Sequence, residues 1–208
     1  MSQIVRQCAG LARSSSDGYA HFVMYRTILT LVFAAILLTS AAAQGRSSDD
    51  IKRQIRDLKA EKQFTVTYDQ GSDATKLIAV ADNLPQRESE RAGTQAINFA
   101  AAFTFAGKSL VSAPDKIDLT FWVLTKRPQF ANDAHWVVTA GGETIDLGNA
   151  RYVAKPAIDM EYLNFVVSRD DLKMIAVAGA KFRLGKNDFT FTAAQTKLLA
   201  DLVKLSTP

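Results

Sequence analysis

A chain of 208 residues, 48% hydrophobic and 22% charged, has a globular composition, which excludes a disordered or fibrous protein. Of the formal charge of +4, half comes from Arg6, Arg13 and Arg26 against Asp17; the other charges are spread without clustering, so no nucleic-acid-binding surface is expected. The single cysteine, Cys8, excludes an intrachain disulfide and any site built from several cysteines.

Residues 1–23 are polar and unpatterned, so translation is expected to start at Met24, with 1–23 a mis-assigned N-terminal extension outside the fold. Residues 24–43 have the three parts of a signal peptide. Arg26 is the basic start, Ile28 to Leu38 is apolar except for Thr30, and Ala41-Ala42-Ala43 matches a cleavage site. Cleavage after Ala43 would leave a cysteine-free chain starting at Gln44. The apolar run is shorter than the ~20 residues that cross a bilayer, so no stable membrane span is expected after cleavage. The expected location is the periplasm or the exterior of a bacterial cell.

Residues 44–61 read as a linker and a short amphipathic helix. Ile51, Ile55 and Leu58 fall on one stripe, Ser48 is the expected N-cap, and Asp49 and Asp50 suit the first turn. Residues 62–208 read as a single β-rich domain. Phe64, Val66 and Tyr68 alternate with threonines, and a turn at 70–73 leads to the apolar stretch 77–81, which together make a hairpin. The charged segment 85–94 is expected to be an exposed loop.

Alternation then continues through Ile97, Phe99, Ala101, Phe103 and Phe105. It recurs in Ile117, Leu119, Phe121 and Val123, with Trp122 on the opposite face. Trp136 and Val138 lead to Gly141-Gly142, a pair suited to a tight hairpin because glycine accepts positive φ without steric cost, and 144–147 continues beyond it. Further strands are expected at 150–154, 160–167 and 181–184, with a turn at 186–188 into Phe189 to Phe191. Ser168 with Asp171, and Thr192 with Gln195, are capping boxes opening two helices; the second carries Leu198, Leu199, Leu202, Val203 and Leu205 on one side. Short strands without long intervening helices point to a mainly β chain, an antiparallel β-sandwich or partly open barrel with a short N-terminal helix and a C-terminal helix packed on it.

The sequence carries no catalytic, metal-binding or cofactor motif. His135, in Asp133-Ala134-His135-Trp136, is the one histidine beyond the export signal, and one histidine with carboxylates is a poor zinc site. None of Ser109, Ser112, Ser168 and Ser206 lies in a Gly-x-Ser-x-Gly elbow. The carboxylate pairs Asp49-Asp50, Asp115/Asp118, Asp159/Glu161 and Asp170-Asp171 read as helix starts or solvated surface. Trp122, Phe130, Trp136, Tyr152 and Tyr162 could line a ligand face, and Trp122, His135 and Trp136 are the binding candidates, although aromatics on alternating strand positions more often pack a core. The expected function is non-enzymatic binding of a protein or small ligand in the cell envelope. The alternative is an extracytoplasmic hydrolase whose dispersed catalytic residues surround His135.

Overall fold

A computed structural model describes residues 45–208; the extension expected at 1–23 and the export signal expected at 24–43 lie outside the described residues. The described chain is mainly β, antiparallel and open. Its opening element, strand β1 (Arg46–Ser47), runs into helix α1 (Ser48–Asp57). The N-cap is Ser47 and not Ser48. Its hydroxyl accepts from the Asp50 N–H while the Asp50 carboxylate accepts from the Ser47 N–H. A cap at Ser48 would place Ile51, which has no acceptor, at the reciprocating position. Ile51 and Ile55 are buried in the main core, so α1 is part of the domain and not a tether to it.

Strands β2 (Phe64–Asp69) and β3 (Ala74–Val80) form the expected hairpin. The segment expected as a loop at 85–94 instead contains helix α2 (Gln86–Arg91), with Pro85 at its N-cap. Gln86 bonds to Glu90 and Arg91 pairs with Glu88 along its surface. Its inward residue is Ser89, 1% exposed, so no apolar stripe marks the helix. Strands β4 (Ala96–Ala106), β5 (Ser109–Leu110) and β6 (Lys116–Leu124) follow, with β5 pairing β1.

Strands β7 (His135–Ala140) and β8 (Glu143–Asn149) are joined by Gly141 and Gly142, both at positive φ, the geometry that matches strand twist in a two-residue hairpin. Strand β9 (Arg151–Lys155) and β10 (Met160–Ser168) come next, then helix α3 (Arg169–Ile175), strands β11 (Lys181–Leu184) and β12 (Asn187–Thr190), and helix α4 (Ala193–Leu205). Both expected capping boxes are formed, by Ser168 with Asp171 and by Thr192 with Gln195. The turn between β11 and β12 starts at Gly185, one residue earlier than expected. There φ is positive, and a Cβ would lie 2.6 Å from the Asp133 carbonyl oxygen.

The strands make a six-stranded sheet, β2-β3-β4-β6-β10-β9, and a four-stranded sheet, β12-β11-β7-β8, with β1-β5 as a separate ladder. The two larger sheets bury facing sides in a sandwich-like arrangement. Phe121 and Phe165 of the large sheet pack against Trp136 of the small one, and Phe121 also against Phe182, at centroid distances of 4.9–5.7 Å. Helix α4 adds Leu198, Leu199, Leu202 and Leu205 to the same core.

The C-terminal end of α4 is held by two arginines. Arg46 donates to the carbonyls of Lys204 and Leu205 and to Gln54, and Arg169 donates to Ser206 and Thr207. Helix ends leave carbonyls unpaired and favour positive charge, so both contacts stabilise the terminus. Arg46→Ala is expected to cost about 1–2 kcal/mol, since it also unlinks α1 from α4. Urea denaturation measures this, and an unchanged midpoint would show that the link contributes nothing.

Candidate functional site

The open face of the six-stranded sheet is the most unusual surface among the described residues. In an antiparallel sheet covered on one side, successive residues point alternately to core and solvent, so the outward set is normally polar. On β3, β4, β6, β10 and β9 the inward set is apolar apart from Thr75, Glu161 and the Tyr152 hydroxyl, but so is much of the outward set. Val80, Val153 and Val166 are 40%, 37% and 61% exposed, and all three point outward on this sheet. They are half of the exposed large hydrophobic residues among those described.

The face is a shallow trough of about 570 Å³. Ala100 and Ala102 of β4, with Thr120 of β6, form its floor, and the longer Ile78 and Val166 side chains rise on either side. The polar groups of the floor are paired with each other: the Thr120 hydroxyl donates to Asn164 Oδ1 at 2.9 Å, and Asn164 Nδ2 donates to the Arg151 carbonyl at 3.3 Å. At the end of the face near the start of β10, Trp122 and Tyr162 lie opposite each other on adjacent strands, both half-buried, with Val153 beyond Tyr162. The Lys155 ammonium sits 5.0 Å from the centre of the Tyr162 ring.

Four cations border the face, Lys76, Lys116, Arg151 and Lys155, against two carboxylates, Asp118 on β6 and Asp69 on β2. Among the described residues none of these six is in an ion pair.

The three candidates from sequence are thus in different surroundings. Trp122 is on the open face. Trp136 is fully buried in the aromatic core between the sheets, out of reach of any ligand. His135 stands on the small sheet, where its Nε2 is 2.7 Å from Asp146 Oδ1 across the β7–β8 pair. Asp133, the neighbour suggested by sequence, instead accepts from the His135 backbone N–H. Asp146 is held below the usual carboxylate value, first by the Gly148 N–H and then by His135. Among the described residues no serine or threonine hydroxyl bonds to His135. Ser168 and Ser206 are engaged at the ends of α3 and α4. Among the described residues no three His, Cys, Asp or Glu side chains are grouped to hold a metal.

Glu161 departs from its expected place on the surface. It follows the inward parity of β10, is 1% exposed, and accepts from the N–H groups of Gln129 and Phe130 and from the Tyr152 hydroxyl. Burial, followed by the bond to Glu161, pushes the Tyr152 phenol up to about 12. The carboxylate therefore anchors the segment between β6 and β7. All of its observed partners are groups of the fold itself.

A second concavity, of about 650 Å³, lies on the outer side of the small sheet beside α2. Arg91, Lys181 and Arg183 are interleaved there with Glu88, Asp188 and threonines, and Val137, Phe182 and Phe189 also line it; the charged groups of both signs lie side by side. No protein-family model matches this chain, and no curated protein or solved structure matches it either.

Proposed function

We propose that this protein is an exported, non-enzymatic binding domain of the bacterial cell envelope, and that its working surface is the open face of the six-stranded sheet. The observation that carries the reading is the outward apolar set of this face: Ile78 and Val166 on either side of Ala100 and Ala102, with Val153 at the β9 edge. Contiguous apolar surface on a protein in water is costly and marks an interaction site when it occurs on one face. Half-buried Trp122 and Tyr162 add aromatic anchors of the kind that dominate binding energetics. The export half of the proposal rests on the apolar run 28–38 and the alanines that follow it.

The test is mass spectrometry of the full-length protein from its native envelope fraction. A denatured mass starting at Gln44 is expected, with a native mass above it from a bound species. Val153→Asp combined with Val166→Asp should remove that species while circular dichroism shows the variant still folded; its thermal midpoint falls by a few degrees, because aspartate suits a strand poorly and position 166 pairs with Asp118. Retention of the apolar run in the denatured mass would overturn export. A bound species that survives both aspartates would overturn the assignment of the face.

A further inference from the structure

We infer that the occupant of the open face is an amphipathic helix of a protein partner, flanked by acidic side chains. This rests on the proposed use of that face for docking, and goes beyond it in naming the partner's chemistry. The shape comes first. The trough runs across β3, β4, β6, β10 and β9, five strands that span about 19 Å at the usual strand spacing. Its walls, Ile78 on β3 and Val166 on β10, are three spacings apart, about 14 Å, and a helix with its side chains is about 10–12 Å across, so one helix fills the space between them. The alanine floor, Ala100 and Ala102, lets its backbone approach, where larger residues would hold it off. Covering the bare side of a sheet with a helix is also how layered domains bury such a face.

Charge then selects among occupants. Lys76 stands on one wall and Arg151 on the other, with Lys116 and Lys155 farther out; Asp118 lies between the walls and Asp69 beside Lys76, so the face keeps a cationic excess. A second copy of the chain would bring like charges together over most of the interface, at a cost of several kcal/mol in comparable interfaces. A bilayer would satisfy the charge, but a flat surface leaves a concave alanine floor unfilled. A helix carrying Glu or Asp on both flanks of an apolar stripe meets the two cationic walls and fills the floor.

The experiment places a photocrosslinking benzoyl-phenylalanine at Val166 in the full-length protein, in the cells that make it. The same group at Val177, exposed but off this face, is the control. The expected result is a crosslink at Val166 to another protein, in a segment with apolar residues at helical spacing and net negative charge. Lys76→Glu with Arg151→Glu should lower its yield roughly tenfold, as expected where charge steers and holds the complex. A crosslink to a second copy, to lipid, or to a segment that persists after charge reversal would overturn the acidic-helix inference and leave docking on the face standing. No crosslink above the Val177 level would overturn both.

Discussion

Glu161→Ala is expected to destabilise the fold by at least about 3 kcal/mol, a large share of the 5–15 kcal/mol that holds most domains together. The substitution leaves the Gln129 and Phe130 N–H groups and the Tyr152 hydroxyl facing an empty, buried position. Each buried donor without an acceptor costs about 1–3 kcal/mol, less wherever water can enter. Glu161→Gln keeps one acceptor oxygen but turns an NH2 group towards donors, so it should lose about 2 kcal/mol. Urea denaturation with an unchanged slope reads both losses. A loss below about 1 kcal/mol for the alanine variant would mean that the carboxylate is not the anchor.

Tyrosinate absorbance supplies an independent check. Tyr152 in the fold ionises near 12, against 10.0 for a free phenol. Its value is raised in the folded state, so its contribution to stability is complete below pH 10 and is lost as the pH climbs towards about 12. Burial is the larger cause and Glu161 the smaller. In Glu161→Ala the phenol should therefore ionise earlier than in the parent protein, but still later than an exposed tyrosine.

Several parts of this structure could be read from residue types at short range. Ser168 with Asp171 and Thr192 with Gln195 satisfy helix-end N–H groups within four residues, so sequence carries the whole interaction. Gly141-Gly142 marks its hairpin in the same local way. Helix α2 carries no apolar stripe because its buried position is held by Ser89, so hydrophobic periodicity does not mark it. Glu161 shares its parity with Leu163, Phe165 and Val167, so the alternation on β10 does place it inward; its residue type argued for the surface and prevailed.

The candidate site was less legible still. Trp122 and Tyr162 become neighbours only when β6 pairs β10, and the apolar character of the open face is spread over five strands, one or two residues from each. His135 meets Asp146 because Val137, two residues along β7, pairs with Asp146, which puts the two side chains diagonally on one face; the pairing joins residues eleven apart in sequence and no local pattern announces it. Long-range pairing and register lie beyond what periodicity encodes.

Trp136→Ala should be the other severe substitution, at about 3–5 kcal/mol, because it empties the contact between the sheets. The indole packs against Phe121 at 5.3 Å and Phe165 at 4.9 Å, both from the opposing sheet, and against Phe182 at 6.3 Å from its own. These rings come from rigid strands on two sides, so the cavity cannot collapse readily and most of its cost is retained. Trp136→Phe separates packing from polarity. It removes some volume, but it also removes an indole N–H that is buried without a hydrogen-bond acceptor. A buried, unpaired donor costs about 1–3 kcal/mol, partly offset here by weak contact with the surrounding ring faces, so its loss repays part of the missing volume. The phenylalanine variant is therefore expected to lose less than half of what the alanine variant loses. Equal losses would mean that the N–H is satisfied. A loss under about 2 kcal/mol in Trp136→Ala would contradict the aromatic packing that joins the two sheets.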